Sequence, residues 1–461
     1  MKQLADLSAA ELLAAYARKA LSPVAVTDAV LARVAALEPK LHATYALDSE
    51  GARSAARASE ERWQRGTPIG ELDGVPITIK ENIATEGTPV PLGTAASVLI
   101  PAAADAPPAA RVREAGAVIL GKTTMPDYGM LSSGLSSFHP LTRNPWDLAK
   151  NPGGSSAGAG AAAAAGYGPL HLGTDIGGSV RLPAGWCGIV GLKPSFGRVP
   201  IDPPHIGRVA GPLTRTVADT ALLMAVISKP DRRDHMCLPP ADIPWRQLDR
   251  DVKGLKIGLL LDVGAGMAVE PEVKAAVEAA ARAFADAGAV VEPARPFLTS
   301  TMVDGLDRFW RTRSWSDMNQ LPPERLDKVL PYIRAWAEAA AGFSGLEVYR
   351  GFSQIGEIRS ATLSASRPYD FMLSPTAALP AFAAELASPL NDPGKPFDHV
   401  CFTVAFNMSE QPALSINCGY TRTGLPIGLQ IIGRRFDDLG VLQVAKAFEA
   451  MRAPQRRWPS P

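Results

Sequence analysis

The chain has 461 residues, 46% of them hydrophobic and 20% charged, which fits a globular α/β protein with a large core and excludes a disordered chain. Lys and Arg number 47 against 46 Asp and Glu, so the formal net charge is +1, and with no long basic block nucleic-acid binding has little support. Cys187, Cys237, Cys401 and Cys418 are scattered without a CxxC pair and read as reduced thiols; no metal spacing such as HExxH occurs, so neither a metal nor another cofactor is expected.

At the N-terminus Asp6 and Glu11 interrupt any signal-like apolar run, and Ser8-Ala9-Ala10-Glu11 has the form of a helix capping box. No stretch reaches membrane-span length without charge, and 157–166 is too short and weakly apolar, so a cytoplasmic location is expected. Residues 8–20 and 22–38 read as amphipathic helices, the second with Pro23 in its first turn, and a third covers 50–64. Gly74 then opens the apolar strand Val75–Lys80. A helix over 106–115, stopped by Gly116, leads into the strand Ala117–Leu120, and the same grammar recurs at 271–292 with Gly288 as the stop. An apolar strand covers 255–261. Residues 304–366 read as almost wholly helical and carry Trp310, Trp315 and Trp336, giving a helical insert over 300–366 within one domain spanning 1–461. Strands at 412–418 and 426–432 and a closing helix from Asp437 complete the pattern; 228–250 and 384–398 are loops. Alternating strands and helices predict an α/β fold with a sheet covered on both faces.

The chemistry concentrates between Gly153 and Pro200, where Ser155 and Ser179 each follow a glycine pair. A serine ending the run Gly173-Thr174-Asp175-Ile176-Gly177-Gly178-Ser179 would stand beside amides able to form an oxyanion site, as acyl transfer requires; the same run also suits a plain tight loop. Arg181, six positions after Asp175, is placed to close it by an ion pair. Gly154-Ser155-Ser156-Ala157-Gly158 satisfies G-x-S-x-G with Ser156 at its centre, yet the loop residues Asp147–Pro152 precede it where a nucleophile elbow needs a strand. None of the six histidines sits in a persuasive context, so a serine hydrolase here needs another base. A buried lysine serves if its pKa falls to about 7–8. Lys80, at the end of an apolar strand, is the candidate. Gly116–Thr123 matches G-x-x-x-x-G-K-[ST], but its middle residues are the strand itself, so the phosphate-loop match is accidental.

Residues 153–200 resemble the amidase signature family, matching GGSS…GTDxGGSxRxPAxxCGxxGLKPxxGRV nearly throughout. The likeness extends through Leu72–Asn82 and Gly121–Pro126, and downstream through Phe402-Thr403, Phe406-Asn407, Gln411-Pro412-Ala413 and Gly424–Gln430. It implies a large mixed β-sheet between helical layers and a Ser–cis-Ser–Lys triad. Ser179 would be the nucleophile, Ser155 the bridging serine at a non-proline cis peptide, and Lys80 the neutral base. The amides of Ile176, Gly177, Gly178 and Ser179 would form the oxyanion hole, with Ser156, Asp175 and Arg181 in support. The sequence departs from the pattern at Ala157, where glycine is usual, and at Thr124, where asparagine is usual. Cys187 reads as a buried structural thiol.

The resemblance implies an amidase acting on small carboxylic amides, or alternatively the glutamine-hydrolysing component of a tRNA-dependent amidotransferase. Residues 300–366 lack the SRYDG-type segment and the Gly–Tyr-rich helix of the latter, which favours the stand-alone enzyme. A small-molecule substrate is expected, without nucleic acid or membrane, and a homodimer is left open. The substrate pocket is expected to draw on residues 127–133, with Tyr128 and Met130, on the 137–143 loop and on the helical insert, where Phe309, Trp310 and Trp315 could line an acyl site, although these aromatics equally suit a helical core.

Overall fold

The computed structural model describes residues 3–461. Eleven strands form one sheet: β1 (Thr44–Tyr45), β2 (Pro76–Lys80), β3 (Val118–Thr123), β4 (Leu170–Asp175), β5 (Val190–Lys193), β6 (Val209–Thr214), β7 (Lys256–Leu259), β8 (Val290–Pro293), β9 (Phe371–Pro375), β10 (Ala413–Tyr420) and β11 (Pro426–Ile432). Their spatial order is β1-β3-β2-β4-β6-β5-β10-β11-β9-β7-β8. The pairs β3–β2, β2–β4, β9–β7 and β7–β8 are parallel and the remainder antiparallel, so the sheet is mixed, as expected.

Alternation along the strands sends side chains to two separate cores. On one face Ile77, Ile79, Leu170, Leu172, Leu429 and Ile431 pack with Val112, Leu223, Phe284 and Phe448 from the helices Pro107–Glu114, Val217–Ile227, Pro271–Asp286 and Asp438–Met451. On the other face Val118 and Leu120 meet Ala161 and Ala165 of the helix Ala157–Ala165, while Met372 and Ile432 meet the helices of the 300–366 region. Ile77 and Ile79 point to the first face, so Thr78 and Lys80 point to the second, under which the serine-bearing segment lies.

The local chemistry explains the element ends. Ser8 and Glu11 form the capping box of the helix Ala9–Ala17. Gly288, at φ 91°, follows the helix Pro271–Asp286 as its left-handed stop. The helices Ser300–Met318 and Gly345–Ser366 cross closely at Gly351, where a Cβ would lie 2.6 Å from the Gly305 carbonyl oxygen. β3 continues through Lys122, whose buried amino group donates to the Ile83 carbonyl and, at 2.6 Å, to Thr85 Oγ1. The G-x-x-x-x-G-K-T match is thus a strand with an inward lysine, not a phosphate cradle. The described residues contain no helix long and apolar enough to cross a membrane, and no cluster of metal-ligating side chains.

Candidate active site

β2 and β4 run parallel and side by side, so their C-terminal residues, Lys80 and Asp175, arrive at the same edge of the sheet, where α/β enzymes characteristically bind ligands. Lys80 is fully buried, and its Nζ donates to Ser155 Oγ at 2.8 Å and to Thr174 Oγ1 at 3.0 Å. Asn82 Nδ2 donates to the same Thr174 hydroxyl at 3.1 Å. Burial lowers the Lys80 pKa from 10.5 to about 7, with Arg208 acting in the same direction and Asp175 and Glu81 opposing. At neutral pH a substantial fraction of Lys80 is therefore a free amine, able to accept a proton from the hydroxyl it holds.

Ser155 is joined to Gly154 by a cis peptide bond. Ser156 starts the helix Ala157–Ala165, and its hydroxyl ties the segment to β4 by donating to the Thr174 carbonyl (3.2 Å) and accepting the Thr174 amide (3.3 Å). Its own amide donates to the Ser179 carbonyl at 3.2 Å. Ser156 thus braces the two serine loops against one another. No strand precedes it, and the tempting elbow geometry is absent.

Ser179 is half-buried, and its hydroxyl has no hydrogen-bond partner among the described residues. It lines a cavity with Gly129, Met130, Leu131, Ile176, Gly177, Trp310, Phe397 and Val400. The amides of Ile176, Gly177 and Ser179 are likewise unclaimed by any protein acceptor among the described residues, whereas the Gly178 amide donates to Asp175 Oδ1 at 2.9 Å. This corrects the four-amide expectation. The Asp175 carboxylate accepts the N–H three residues on in an Asx-type turn, leaving the other three amides without a protein acceptor among the described residues. Gly178 has φ 127°, and a Cβ there would fall 2.5 Å from Thr403 Oγ1, so glycine is required.

Asp175 and Arg181 form the expected ion pair, with both side chains fully buried and Nη2 2.8 Å from Oδ1. Asp175 also accepts from Val180 N and Asn407 Nδ2, and Arg181 from its side donates to Gln430 Oε1, the Thr403 carbonyl and Asn407 Oδ1. Burial alone would raise the Asp175 carboxyl, but the charge and hydrogen bonds of Arg181, with those of Asn407 and Val180, outweigh it and hold the group well below the usual carboxylate range. Replacing Arg181 by methionine strands this carboxylate in the interior. A loss of roughly 3–5 kcal/mol is expected in denaturant unfolding, and a loss below about 1 kcal/mol would show that the pair does not hold the loop.

A family model described as Amidase matches residues 25–442. The chain belongs to the amidase signature family. Among its relatives are the A component of the Glutamyl-tRNA(Gln) amidotransferase of Myxococcus xanthus, 35% identical over 97% of each chain, and an acylamidase of Rhodococcus erythropolis, 35% identical over 97% of this chain and 95% of the relative. Solved structures include a bacterial aryl acylamidase at TM-score 0.89 and 31% identity, covering 96% of both chains. The peptide amidase of Stenotrophomonas maltophilia superposes at TM-score 0.85 and 26% identity, covering 99% of this chain and 98% of that one. Like its family, the protein is an amide-hydrolysing enzyme with the large mixed sheet of the amidase signature fold.

Within this amidase signature frame the aromatic expectations divide. Trp310 and Met130 line the cavity, and a Cβ at Gly177 would lie 3.6 Å from Trp310 Cη2. Tyr128, Phe309, Trp315 and the 137–143 segment are not among its lining residues. Phe309, one position before Trp310, is turned about 100° around the helix and packs edge-on against Phe352, at 5.2 Å between ring centroids. Tyr128 and Trp315 pack against the core of the 300–366 region. Sequence reasoning missed Tyr332, Phe397, Ser388 and His399, which also line the cavity. His399 is buried, burial lowers its pKa to about 4, and its Nε2 has no partner among the described residues. It is a neutral imidazole in the pocket wall.

Thr124 replaces the usual asparagine by bonding Thr142 Oγ1 at 2.7 Å, while its amide donates to the Ala43 carbonyl at 3.0 Å. Cys187 is fully buried, and burial raises its pKa far above neutrality, which removes it as a nucleophile.

Proposed function

We propose that this chain is a free-standing amidohydrolase that cleaves the C–N bond of small carboxylic amides to acid plus ammonia or amine. Ser179 forms the acyl-enzyme, Ser155 relays protons, and neutral Lys80 is the base. The observation that carries the reading is the 2.8 Å contact of a dry lysine, poised near neutrality, with Ser155, beside a second serine that faces a cavity and unclaimed amides.

In this mechanism Lys80 Nζ takes the proton of Ser155 Oγ as Ser155 takes that of Ser179. Ser179 Oγ attacks the amide carbonyl carbon, and the oxygen becomes an oxyanion stabilised by the N–H groups of Ile176, Gly177 and Ser179. The C–N bond breaks as the proton returns through Ser155 to the leaving nitrogen. Water then enters by the same relay, releases the acid and regenerates Ser179.

The apolar wall of Ile176, Trp310, Phe397 and Val400 suits an aryl or alkyl acyl group. Trp310→Ala is expected to lower kcat/KM for aryl and long alkyl amides by roughly tenfold or more relative to acetamide, since truncation removes about 3–5 kcal/mol of buried aromatic contact, of which binding shares a part. Unchanged ratios across the series would reject a pocket role for Trp310.

A second reading, the glutaminase component of a tRNA-dependent amidotransferase, is favoured by the full-length identity to such proteins. Against it stand the lack of an SRYDG-type segment and of a Gly–Tyr-rich helix in residues 300–366 and the mainly apolar cavity wall. Assays of the isolated chain on aliphatic, aryl, peptide and ureido amides, with glutamine included, separate the two. Turnover of simple amides without a partner supports the amidase. Glutamine as the sole substrate, or dependence on partner proteins, replaces it by the second reading.

A further inference from the structure

Beside the cavity wall, at Met130, stands positive charge that makes no carboxylate ion pair among the described residues. Arg313 lies one turn beyond Trp310 on the helix Ser300–Met318, so the two project from the same face. Its Nη1 donates to His205 Nε2 at 3.1 Å, and its Nη2 lies 3.9 Å from the sulfur of Met130, a residue of the cavity wall. Its Nε is buried without a partner among the described residues. His205 does not neutralise it: Nδ1–H donates to the Ile206 carbonyl at 2.9 Å, and burial together with Arg313 lowers the imidazole to about 4, so Nε2 is a neutral acceptor.

A second guanidinium comes from the segment that carries His205. The Arg208 amide donates to the His205 carbonyl at 3.0 Å, and its Nη2 donates to the Pro203 carbonyl. Neither arginine makes a carboxylate ion pair among the described residues. The nearby Asp234 is spent on the amides of Ile201 and Met236, and Asp202 and Asp317 are exposed. Burial, reinforced by Arg313, lowers Arg208 to about 10, so it stays charged at neutral pH, and its field reaches Lys80. Two half-buried like charges that Asp202, Asp234 and Asp317 attract only from beyond ion-pair distance are an unfavourable arrangement that a bound anion relieves, and a guanidinium fork fits a carboxylate best.

We infer that Arg208 and Arg313 form a carboxylate subsite beside the cavity wall at Met130, so that the preferred amides carry a carboxylate away from the scissile bond. This deepens the amidase reading and rests on it. The carboxylate belongs either to the acyl group or to the amine, and two substrate pairs distinguish these sources. One pair is a dicarboxylic acid monoamide against the uncharged amide of equal chain length. The other is an N-acyl amino acid against its methylamide.

In one of the pairs the charged member is expected to show roughly tenfold or higher kcat/KM, chiefly through KM, with the preference shrinking as salt rises. Arg313→Gln and Arg208→Gln should each reduce that ratio by about tenfold, and Arg313→Lys should retain part of it. If neither charged substrate is favoured, or if the glutamine variants keep the ratio, the subsite is overturned. Should a variant fail to fold, a wild-type preference insensitive to salt overturns it equally. Turnover of the uncharged members reports on the amidase reading separately.

Discussion

Ser179→Ala is expected to abolish amide hydrolysis, with kcat falling by about 10⁴-fold or more while the fold persists. The size of the effect follows from the division of labour. Ser179 supplies the only hydroxyl among the proposed triad that lines the cavity, and the bond it would form to the acyl group replaces one difficult step by two easier ones. Ser155 cannot substitute, because it is 4% exposed and held by Lys80. The three amides that would stabilise the oxyanion belong to the backbone and survive the change, so a small residual rate over water remains. Steady-state kinetics with an anilide, beside a thermal melt, checks this; a variant within tenfold of wild type would remove Ser179 from the mechanism.

Lys80→Ala is expected to lower kcat/KM by about 10³-fold or more, because in the proposed mechanism Lys80, whose Nζ holds the Ser155 hydroxyl, is the base. The wild-type rate should rise with pH through about 7, the value to which burial lowers Lys80. The stability effect has its own sign. The ordinary lysine value of 10.5 lies above the folded one, so the unfolded chain binds more protons between them. The cost of burying Lys80 is therefore fully present below about 7 and disappears as pH rises toward 10.5. Removing the amine should leave the fold intact at neutral pH and flatten the rise of activity with pH. A profile that keeps its inflection near 7 in the Lys80→Ala protein would assign that titration to another group.

The sequence made β2, β3, β7 and β8 readable because each follows a helix or a turn closed by glycine, and it made the helices of 300–366 readable through their length and polarity. The helix Ala157–Ala165 carries no such signal. Its residues are only alanine and glycine, all buried, so no apolar stripe exists to detect. The helix Val217–Ile227 is hidden for the same reason, being apolar nearly all round. β6 contains Pro212 in mid-strand, which argues against a strand in any sequence reading.

At the site, Lys80, Ser155 and Ser179 could be grouped from residue chemistry and from the family pattern, and the structure brings Lys80 and Ser155 into contact at 2.8 Å. The Gly178 amide was misassigned because the pattern of glycines does not reveal which N–H the Asp175 carboxylate claims. Trp310 was not separable from Phe309 and Trp315, since which face of that helix meets the cavity depends on its crossing with the helix Gly345–Ser366. Tyr332, Phe397 and His399 lie 150 or more positions from Ser179 along the chain and reach it only through tertiary packing.

The most direct test is to trap the acyl-enzyme. Acid quenching of the protein during turnover of a slow aryl amide or ester, followed by proteolysis and mass spectrometry, should find the acyl group on the peptide containing Ser179 and none on Ser155 or Ser156. Acylation of Ser155, of Ser156 or of Cys187, or full turnover by a protein whose Ser179 has been replaced, would contradict the assignment of the nucleophile.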